Sequence, residues 1–367
     1  MTTTIAIGRN AALEDSCLRL AMVAPSLEII GGQGVQAEAL AQVLATEGHA
    51  VTFLPVNPAF PPGLRWLRRI AYVRTIINEA LFVASLRRLR RADTVHVFSA
   101  SYWSFLLGPA PAMVAGRIMG KRVVLNYRSG EADDHLTHWG LLVHPWLRLA
   151  HEIVVPSEYL RTVFAHHGYR VRVIRNLVDT SRFRYRERVP LRPKLLSTRN
   201  LEPYYRVDIT LQAFALLKAR YPEATLTIVG YGSEEERLRR LAASLGAGGI
   251  RFVGKADRPA LPGLYDEHDI FVNSSVLDNQ PVSVLEAFAS GLPVVSTATG
   301  DIGAMVRSRE TGLLVAPRDP EATAKAIASL LQSPDRALLM ARRANQEVEK
   351  YTWPAVRGQW AEAYRAG

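Results

Sequence analysis

The strongest constraint on this chain is a rhythm that occurs twice. Short, mostly apolar, β-branched runs alternate with longer segments of helical spacing. In the first half the runs fall at 18–25, 49–54, 94–98, 122–127, 152–156 and 171–174; in the second they fall at 194–198, 225–229, 250–253, 270–273, 293–296 and 313–315. Continuous apolar runs suit strands covered on both faces, and strands joined through helices lie parallel. Each half therefore predicts a doubly wound α/β sheet. Two such halves without a long sequence repeat predict two sheets facing one another across a cleft, where small ligands prefer to bind. A length of 367 residues also favours two domains. We place them at 1–178 and 179–350, with a charged, proline-containing connection at 180–193 and a last helix, 351–367, packing back on the first.

Composition narrows the classes. Hydrophobic residues make up 48% of the chain, ample for globular cores. One cysteine, Cys17, excludes an intramolecular disulfide framework and fits a reducing compartment. The first 17 residues are polar and include Glu14 and Asp15, unlike a signal peptide. No apolar run reaches the roughly 18 to 20 residues that span a bilayer. The expectation is a cytoplasmic protein, soluble or peripheral at the inner face of the membrane.

The net charge of +11 asks for an anionic partner: nucleic acid, a membrane surface or an anionic substrate. The excess is concentrated in the first half, where 19 Lys and Arg face 12 Asp and Glu over residues 1–178; 26 face 22 over the rest. Residues 63–91 are the most basic piece, with Arg65, Arg68, Arg69, Arg74, Arg87, Arg88, Arg90 and Arg91 against Glu79 alone. Trp66, Ile70, Val73, Ile76 and Phe82 lie among them. Two readings stand: an amphipathic helix lying on anionic lipid, and a surface helix with its apolar side in the core. His135 and His138, three apart and without a cysteine, do not make a zinc site, and no metal cluster is expected elsewhere.

Polar and glycine-rich loops follow several of the runs, at the carboxyl ends where open α/β sheets bind ligands. The first is Gly31-Gly32-Gln33-Gly34, whose spacing is not the dinucleotide fingerprint. Arg128-Ser-Gly-Glu131 follows the run at 122–127. In the second half Arg199 follows the first run, with Arg206 past Glu202-Pro-Tyr-Tyr205; Gly230-Tyr-Gly232 and Lys255 fall on the same edge. Arginines there suit bidentate contact with a diphosphate. The ordinary alternative for each is a surface arginine paired with an acid. The helix at 234–245 opens with Ser233-Glu-Glu-Glu236, which predicts a capping box between Ser233 and Glu236.

The stretch 274–293 carries the most chemistry. It predicts a strand end, a loop with Asp278, Asn279 and Gln280, then a helix with Pro281 at its first position, running through Val282 and Ser283 and stopping before Gly291. Helical side chains lean towards the N-terminus, so Glu286 points back towards the loop of Asp278. Between the two acids lie the free N–H groups of the helix start, a site for an anion. Hydroxyl acceptors flanking a phosphate site suggest a phosphorylated sugar.

With these residues assembled, the chain resembles the retaining glycosyltransferases of glycosyltransferase family 4, which have the two-domain GT-B fold. The resemblance runs from Gly31-Gly32 to Tyr351-Thr-Trp-Pro, and its most specific mark is a Glu-x7-Glu motif, matched by Asp278-x7-Glu286. It implies that Glu286 bonds the ribose hydroxyls of a nucleotide and that Asp278, Asn279, Gln280, Pro281 and Val282 hold the donor sugar. It implies further that Gly31 and Gly32 approach the diphosphate and that Arg199 binds it. Three departures stand out: Asp278 replaces a glutamate, Tyr205 replaces the lysine partner of Arg199 with Arg206 as substitute, and Arg128 replaces a sugar-orienting histidine. Arg128 and Glu131 are therefore candidates for contact with sugar or acceptor.

The implied reaction moves a sugar from a nucleotide-diphosphate donor to an acceptor hydroxyl with retention, without a metal or other cofactor. The acceptor would be a glycan or lipid-linked molecule, with an anionic membrane surface as a further partner and no nucleic acid. Two other readings remain open at this point: epimerisation or phosphorolysis on the same fold, and a non-catalytic protein that binds anionic ligands.

Overall fold

The strands form where the apolar runs lie: β1 (Arg19–Ala24), β2 (Ala50–Pro55), β3 (Thr94–Ser99), β4 (Arg122–Tyr127), β5 (Glu152–Val155) and β6 (Arg172–Val173), then β7 (Lys194–Thr198), β8 (Thr225–Val229), β9 (Ile250–Gly254), β10 (Ile270–Asn273), β11 (Val294–Thr297) and β12 (Leu313–Val315). The computed structural model describes residues 17–26, 32–61, 63, 66–67, 70–99 and 101–365. The chain divides into two compact units, one running to Arg175 and resuming at Val356, the other Asn176–Ala355.

In the first unit six parallel strands lie in the order β2-β1-β3-β4-β5-β6. β3 is buried along its whole length, as a strand covered on both faces must be. Its one histidine, His96, is enclosed by the last helix of the chain, Trp353–Arg365. His96 Nδ1 lies 2.9 Å from Tyr364 Oη and its Nε2 lies 3.1 Å from Asn126 Nδ2. The Trp360 ring sits 5.0 Å from the imidazole centroid. Burial, helped by the charge on Arg128, drives the His96 pKa down to about 3, so the ring stays neutral. Arg172 completes the attachment through a 2.7 Å ion pair to Glu362.

The second unit is another six-stranded parallel sheet, β12-β11-β10-β7-β8-β9. Its strand order is that of a Rossmann sheet, reversing between β7 and β10. The helix Val282–Ser290 is buried at Ser283 and every later residue up to Ser290. A helix this apolar is stable when enclosed, and this one packs against β11 and the helix Pro334–Val348. Phe288, in its last turn, is buried almost completely, worth roughly 2–3 kcal/mol by apolar transfer. The helix stops at Gly291, whose φ of +77° is left-handed and whose missing Cβ would lie 2.7 Å from Arg186 O.

Two local expectations fail. Pro281 is the N-cap rather than the first helical residue, and the helix begins at Val282. Ser233 and Glu236 form no capping box. The helix runs Glu235–Ser244 with Glu234 at its N-cap and no side-chain cap. Ser233 Oγ donates instead to Glu202 Oε2 at 2.6 Å, and its N–H reaches Oε1 of the same residue. A carboxylate 31 positions away outcompetes the local partner.

Candidate functional site

The strand order of the second unit reverses at the β7–β10 pair, and a sheet of this type binds ligands beyond the carboxyl ends of such a pair. The loop after β10 is anchored there. Thr210 Oγ1 and Ser274 Oγ lie 2.7 Å apart, Val276 N donates to Tyr204 O at 2.9 Å, and Thr297 Oγ1 donates to Ser275 O at 2.5 Å. Gly300, with φ of +54°, lets the loop close: a Cβ there would lie 2.0 Å from Asp278 O. Asp278 and the start of the helix are thereby fixed relative to β7.

Arg199, the first residue after β7, is buried in this corner. Its Nη1 donates to Ser283 Oγ at 3.0 Å, its Nη2 pairs with Asp278, and its guanidinium carbon lies 4.1 Å from the centroid of the Tyr205 ring. Its Nε is buried with no hydrogen-bond partner, a donor left over for an acceptor that the protein itself does not supply. Backbone packing aims the residue. At Gly230, φ is +146° and a Cβ would lie 2.2 Å from Arg199 O; at Gly232 a Cβ would lie 2.4 Å from Leu201 O. Only glycine allows the strand end of β8 to lie so close.

Glu286 lies one turn beyond Ser283 and is buried. Tyr265, fully buried on the helix Leu261–Glu267, bridges the parts. Its hydroxyl donates to Glu286 Oε2 at 2.8 Å, lies 2.7 Å from Thr198 Oγ1 and is 3.2 Å from Ser283 O. Burial pushes the Glu286 pKa up to about 7; the Tyr265 hydrogen bond and the charges of Arg182, Arg258 and Arg199 pull the other way. Burial and the Glu286 charge together raise Tyr265 well above its ordinary value, so it stays a donor. The result is a carboxyl poised to ionise near neutrality, with one oxygen engaged by tyrosine, beside a buried arginine and a helix N-terminus. Chemically, such a combination can accept hydroxyls and suits an anion.

The structure sorts the expected residues. Arg199, Asp278, Ser283 and Glu286 come together, and Val282 supplies the first helical N–H above them. Gly230 acts through the backbone of Arg199. Arg206 caps the helix Val207–Arg220 in a left-handed conformation, and its guanidinium forks onto Asp208 with two bonds of 2.9 Å, the ordinary pairing with an acid. Gln280 is engaged at both ends of its amide. Oε1 accepts from Asn176 N at 2.7 Å and Nε2 donates to Asp301 Oδ2 at 2.9 Å, which ties Asn176 to the loop. Asn279 is buried, its carbonyl accepting from Asp301 N at 3.0 Å. Lys255 is exposed near the Tyr231 ring. Tyr265 escaped sequence reasoning, and Tyr205, noted there only as the replacement of a lysine, supports Arg199 with its ring face. The one signal for Tyr265 is a tyrosine one short turn before a fully apolar strand, where its hydroxyl needs a buried partner.

In the first unit Gly32 opens the helix Gly32–Thr46, with no atom within 4 Å of where a Cβ would sit; Gly31 lies outside the described residues. Arg128 lies 5.8 Å from the Phe98 ring centroid, and burial lowers its pKa to about 9. Glu131 is raised by burial and then by Asp134. Neighbouring Tyr102 has φ of +55° and donates to Asp134 at 2.6 Å. His135 packs inside, 2.7 Å from Tyr127 Oη, with Nε2 unpartnered. Among the described residues no group of three or more His, Cys, Asp or Glu is placed to hold a metal, and no helix is long and apolar enough to cross a membrane.

Two Rossmann-like units in one chain, each a six-stranded parallel sheet, define the GT-B class. Solved structures match it: sucrose-phosphate synthase from Thermosynechococcus elongatus superposes with a TM-score of 0.75 at 19% identity, covering 95% of this chain and 98% of that one. Anabaena Alr3699/HepE in complex with UDP and glucose superposes at 0.72 and 17% identity, covering 95% and 100%. The sequence matches the glycosyltransferase family 4 pattern over residues 30–182 and that of glycosyl transferases group 1 over 181–347. The chain belongs to this glycosyltransferase family. The D-inositol 3-phosphate glycosyltransferase of Rhodococcus jostii is 27% identical over 317 residues, 82% of this chain and 63% of that protein. A Mycobacterium tuberculosis glycogen synthase is 27% identical over 391 residues, 92% of each.

Proposed function

We propose that the protein transfers a sugar, with retention and without a metal cofactor, from a nucleoside-diphosphate sugar to the hydroxyl of a glycan or lipid-linked acceptor. The observation that carries this reading is the convergence of Arg199, Ser283 and Glu286, bridged by Tyr265, at the reversal point of a Rossmann sheet. Glu286, ionised, accepts the ribose hydroxyls. Arg199 and the helix start at Val282 take the diphosphate. Asp278 faces the donor sugar. Arg128 and Glu131, in the first unit, are the residues we assign to contact with acceptor or sugar. UDP in the Alr3699/HepE complexes makes a uridine diphosphate sugar the first donor to try.

In the proposed step the bond between the anomeric carbon and the diphosphate oxygen breaks and the acceptor oxygen bonds to the same face of that carbon. The acceptor proton passes to the departing phosphate oxygen, so no side chain need act as a covalent nucleophile. Negative charge grows on the diphosphate as it leaves. A buried guanidinium and helix N–H groups stabilise charge where it develops and need no reorganisation to do so. A thermal-shift screen of nucleoside diphosphates and nucleotide sugars tests the reading. We expect stabilisation by one base series, lost in Glu286→Ala and Arg199→Ala, and transfer that survives a chelator. Stabilisation by no nucleotide would reject it.

A further inference from the structure

The helix Ala71–Ser85 of the first unit presents its apolar residues to solvent. Tyr72, Ile76, Ala80 and Val83 recur at helical spacing on one face, and all four are exposed, Tyr72 at 86% and Ile76 at 70%. Phe82 is the helix's fully buried contact with the core. Just before it Trp66 is 63% exposed and Ile70 is exposed as well. The helix leads directly into the 3-10 turn Leu86–Arg91, where Leu86 and Leu89 are buried while Arg87, Arg88, Arg90 and Arg91 are exposed. None of these arginines, nor Arg74, forms an ion pair among the described residues. Glu79, half-buried, is the one acid of residues 63–91.

A second exposed apolar group lies beside Val56, the residue after β2. Asn78 Nδ2 donates to Val56 O at 3.0 Å, and Val56 Cγ1 lies 3.3 Å from where a Cβ of Gly108 would sit. The helix ending at Gly108, Trp103–Leu107, carries Trp103, 64% exposed and edge-on to Trp139 at 5.3 Å. An outward apolar stripe, amphipathic aromatics around it and cations without protein partners form one chemical pattern. Tryptophan and tyrosine favour the level of lipid headgroups, and arginine favours an anionic leaflet.

We infer that this face of the first unit docks onto an anionic lipid bilayer, with the Tyr72–Ile76–Val83 stripe in the interface and Arg87, Arg88, Arg90 and Arg91 on the headgroups. The charge complementarity selects the occupant: a protein partner or a second copy of this chain would need an acidic face to meet these cations. The inference is independent of the transfer reaction, because vesicle binding is read without substrate.

The test uses the full chain and sedimentation with phosphatidylcholine vesicles, with and without phosphatidylglycerol, at low and high salt. The wild-type protein should co-sediment only with the anionic vesicles and be released by salt. Ile76→Asp and the pair Arg87→Glu, Arg88→Glu should each weaken partitioning by roughly tenfold or more, with melting temperature and nucleotide-induced thermal shift unchanged. Lack of binding to anionic vesicles, or binding indifferent to Ile76→Asp, overturns the inference. So does a concentration-dependent dimer that Ile76→Asp dissolves, which would assign the face to a second copy.

Discussion

Replacing Glu286 by glutamine should separate what the proposed chemistry needs from what the fold prefers. The carboxyl is buried and its pKa is raised from 4.5 to about 7. A group whose folded pKa lies above its unfolded one stabilises the fold fully below the unfolded value, and that contribution is lost as pH rises through the folded value. Relative to a side chain that never ionises, the deficit reaches about 3 kcal/mol at pH 8 and about 1 kcal/mol at pH 5, from about 1.4 kcal/mol per pKa unit. Glutamine is such a side chain; it has the same shape and its carbonyl still accepts the Tyr265 proton. Glu286→Gln should therefore stabilise the second unit by about 3 kcal/mol at pH 8, or roughly 6–12 °C in melting temperature for a unit of this size, and by far less at pH 5. Scanning calorimetry of both proteins at the two pH values reads the difference directly. Affinity for a nucleoside diphosphate should move the opposite way. Wild-type binding should tighten as pH rises through about 7, and the variant should lose roughly ten- to a hundredfold with its charged acceptor. If the variant gains no more at pH 8 than at pH 5, the buried carboxylate is already compensated by Arg182, Arg258 and Arg199, and the poised-acid argument fails.

Other substitutions probe the supports of the site. Gly230→Ala should cost about 3 kcal/mol, because its Cβ would strike Arg199 O at 2.2 Å in a left-handed backbone; thermal denaturation should show the loss, and nucleotide affinity should fall with it. Gln280→Ala removes the side-chain acceptor of Asn176 N and a donor to Asp301 Oδ2 and should cost about 1–3 kcal/mol of stability, yet leave nucleotide affinity within a few-fold; a large affinity loss without a stability loss would place Gln280 in the donor site. Tyr205→Phe should keep diphosphate affinity, whereas Tyr205→Leu, which removes the ring face 4.1 Å from Arg199, should weaken it by roughly tenfold. Titration calorimetry with a nucleoside diphosphate distinguishes the pair.

The strands were legible in the sequence because the central ones are covered on both faces and leave a continuous apolar signature; 122–127, 194–198, 225–229, 270–273 and 313–315 fold with those bounds. The reversal at β7 and β10 was not legible, since strand order is a property of non-local pairing. The same division holds within the site. Glu286 and the helix start follow from local spacing. Tyr265 reaches Glu286 across 21 positions, Gln280 reaches Asn176 across 104, and Ser233 leaves its helix for Glu202 across 31. Local rules name the groups that want partners; only packing decides between a near partner and a better-placed distant one. Arg206 shows the converse: its bidentate partner is Asp208, two residues on, and no distant anion was needed to satisfy it.

That distribution bears on which cation can do the work. Arg206 is matched in geometry and charge by a carboxylate on its own helix, so recruiting it to a diphosphate means breaking two 2.9 Å bonds. Arg199 is matched incompletely. Asp278 and Ser283 take its two terminal nitrogens, the Tyr205 ring supports its face, and its buried Nε has no acceptor. A diphosphate brings more charge than one carboxylate and can reach a further donor, so it competes well for Arg199 and poorly for Arg206. On the proposed reading, Asp278, once displaced from the guanidinium, is available to the sugar hydroxyls. The aspartate is one methylene shorter than the glutamate of the family motif and holds only Nη2 of Arg199, so on the proposed reading a diphosphate that takes that nitrogen frees the acid for the sugar, whereas one that takes Nε alone leaves the pair intact.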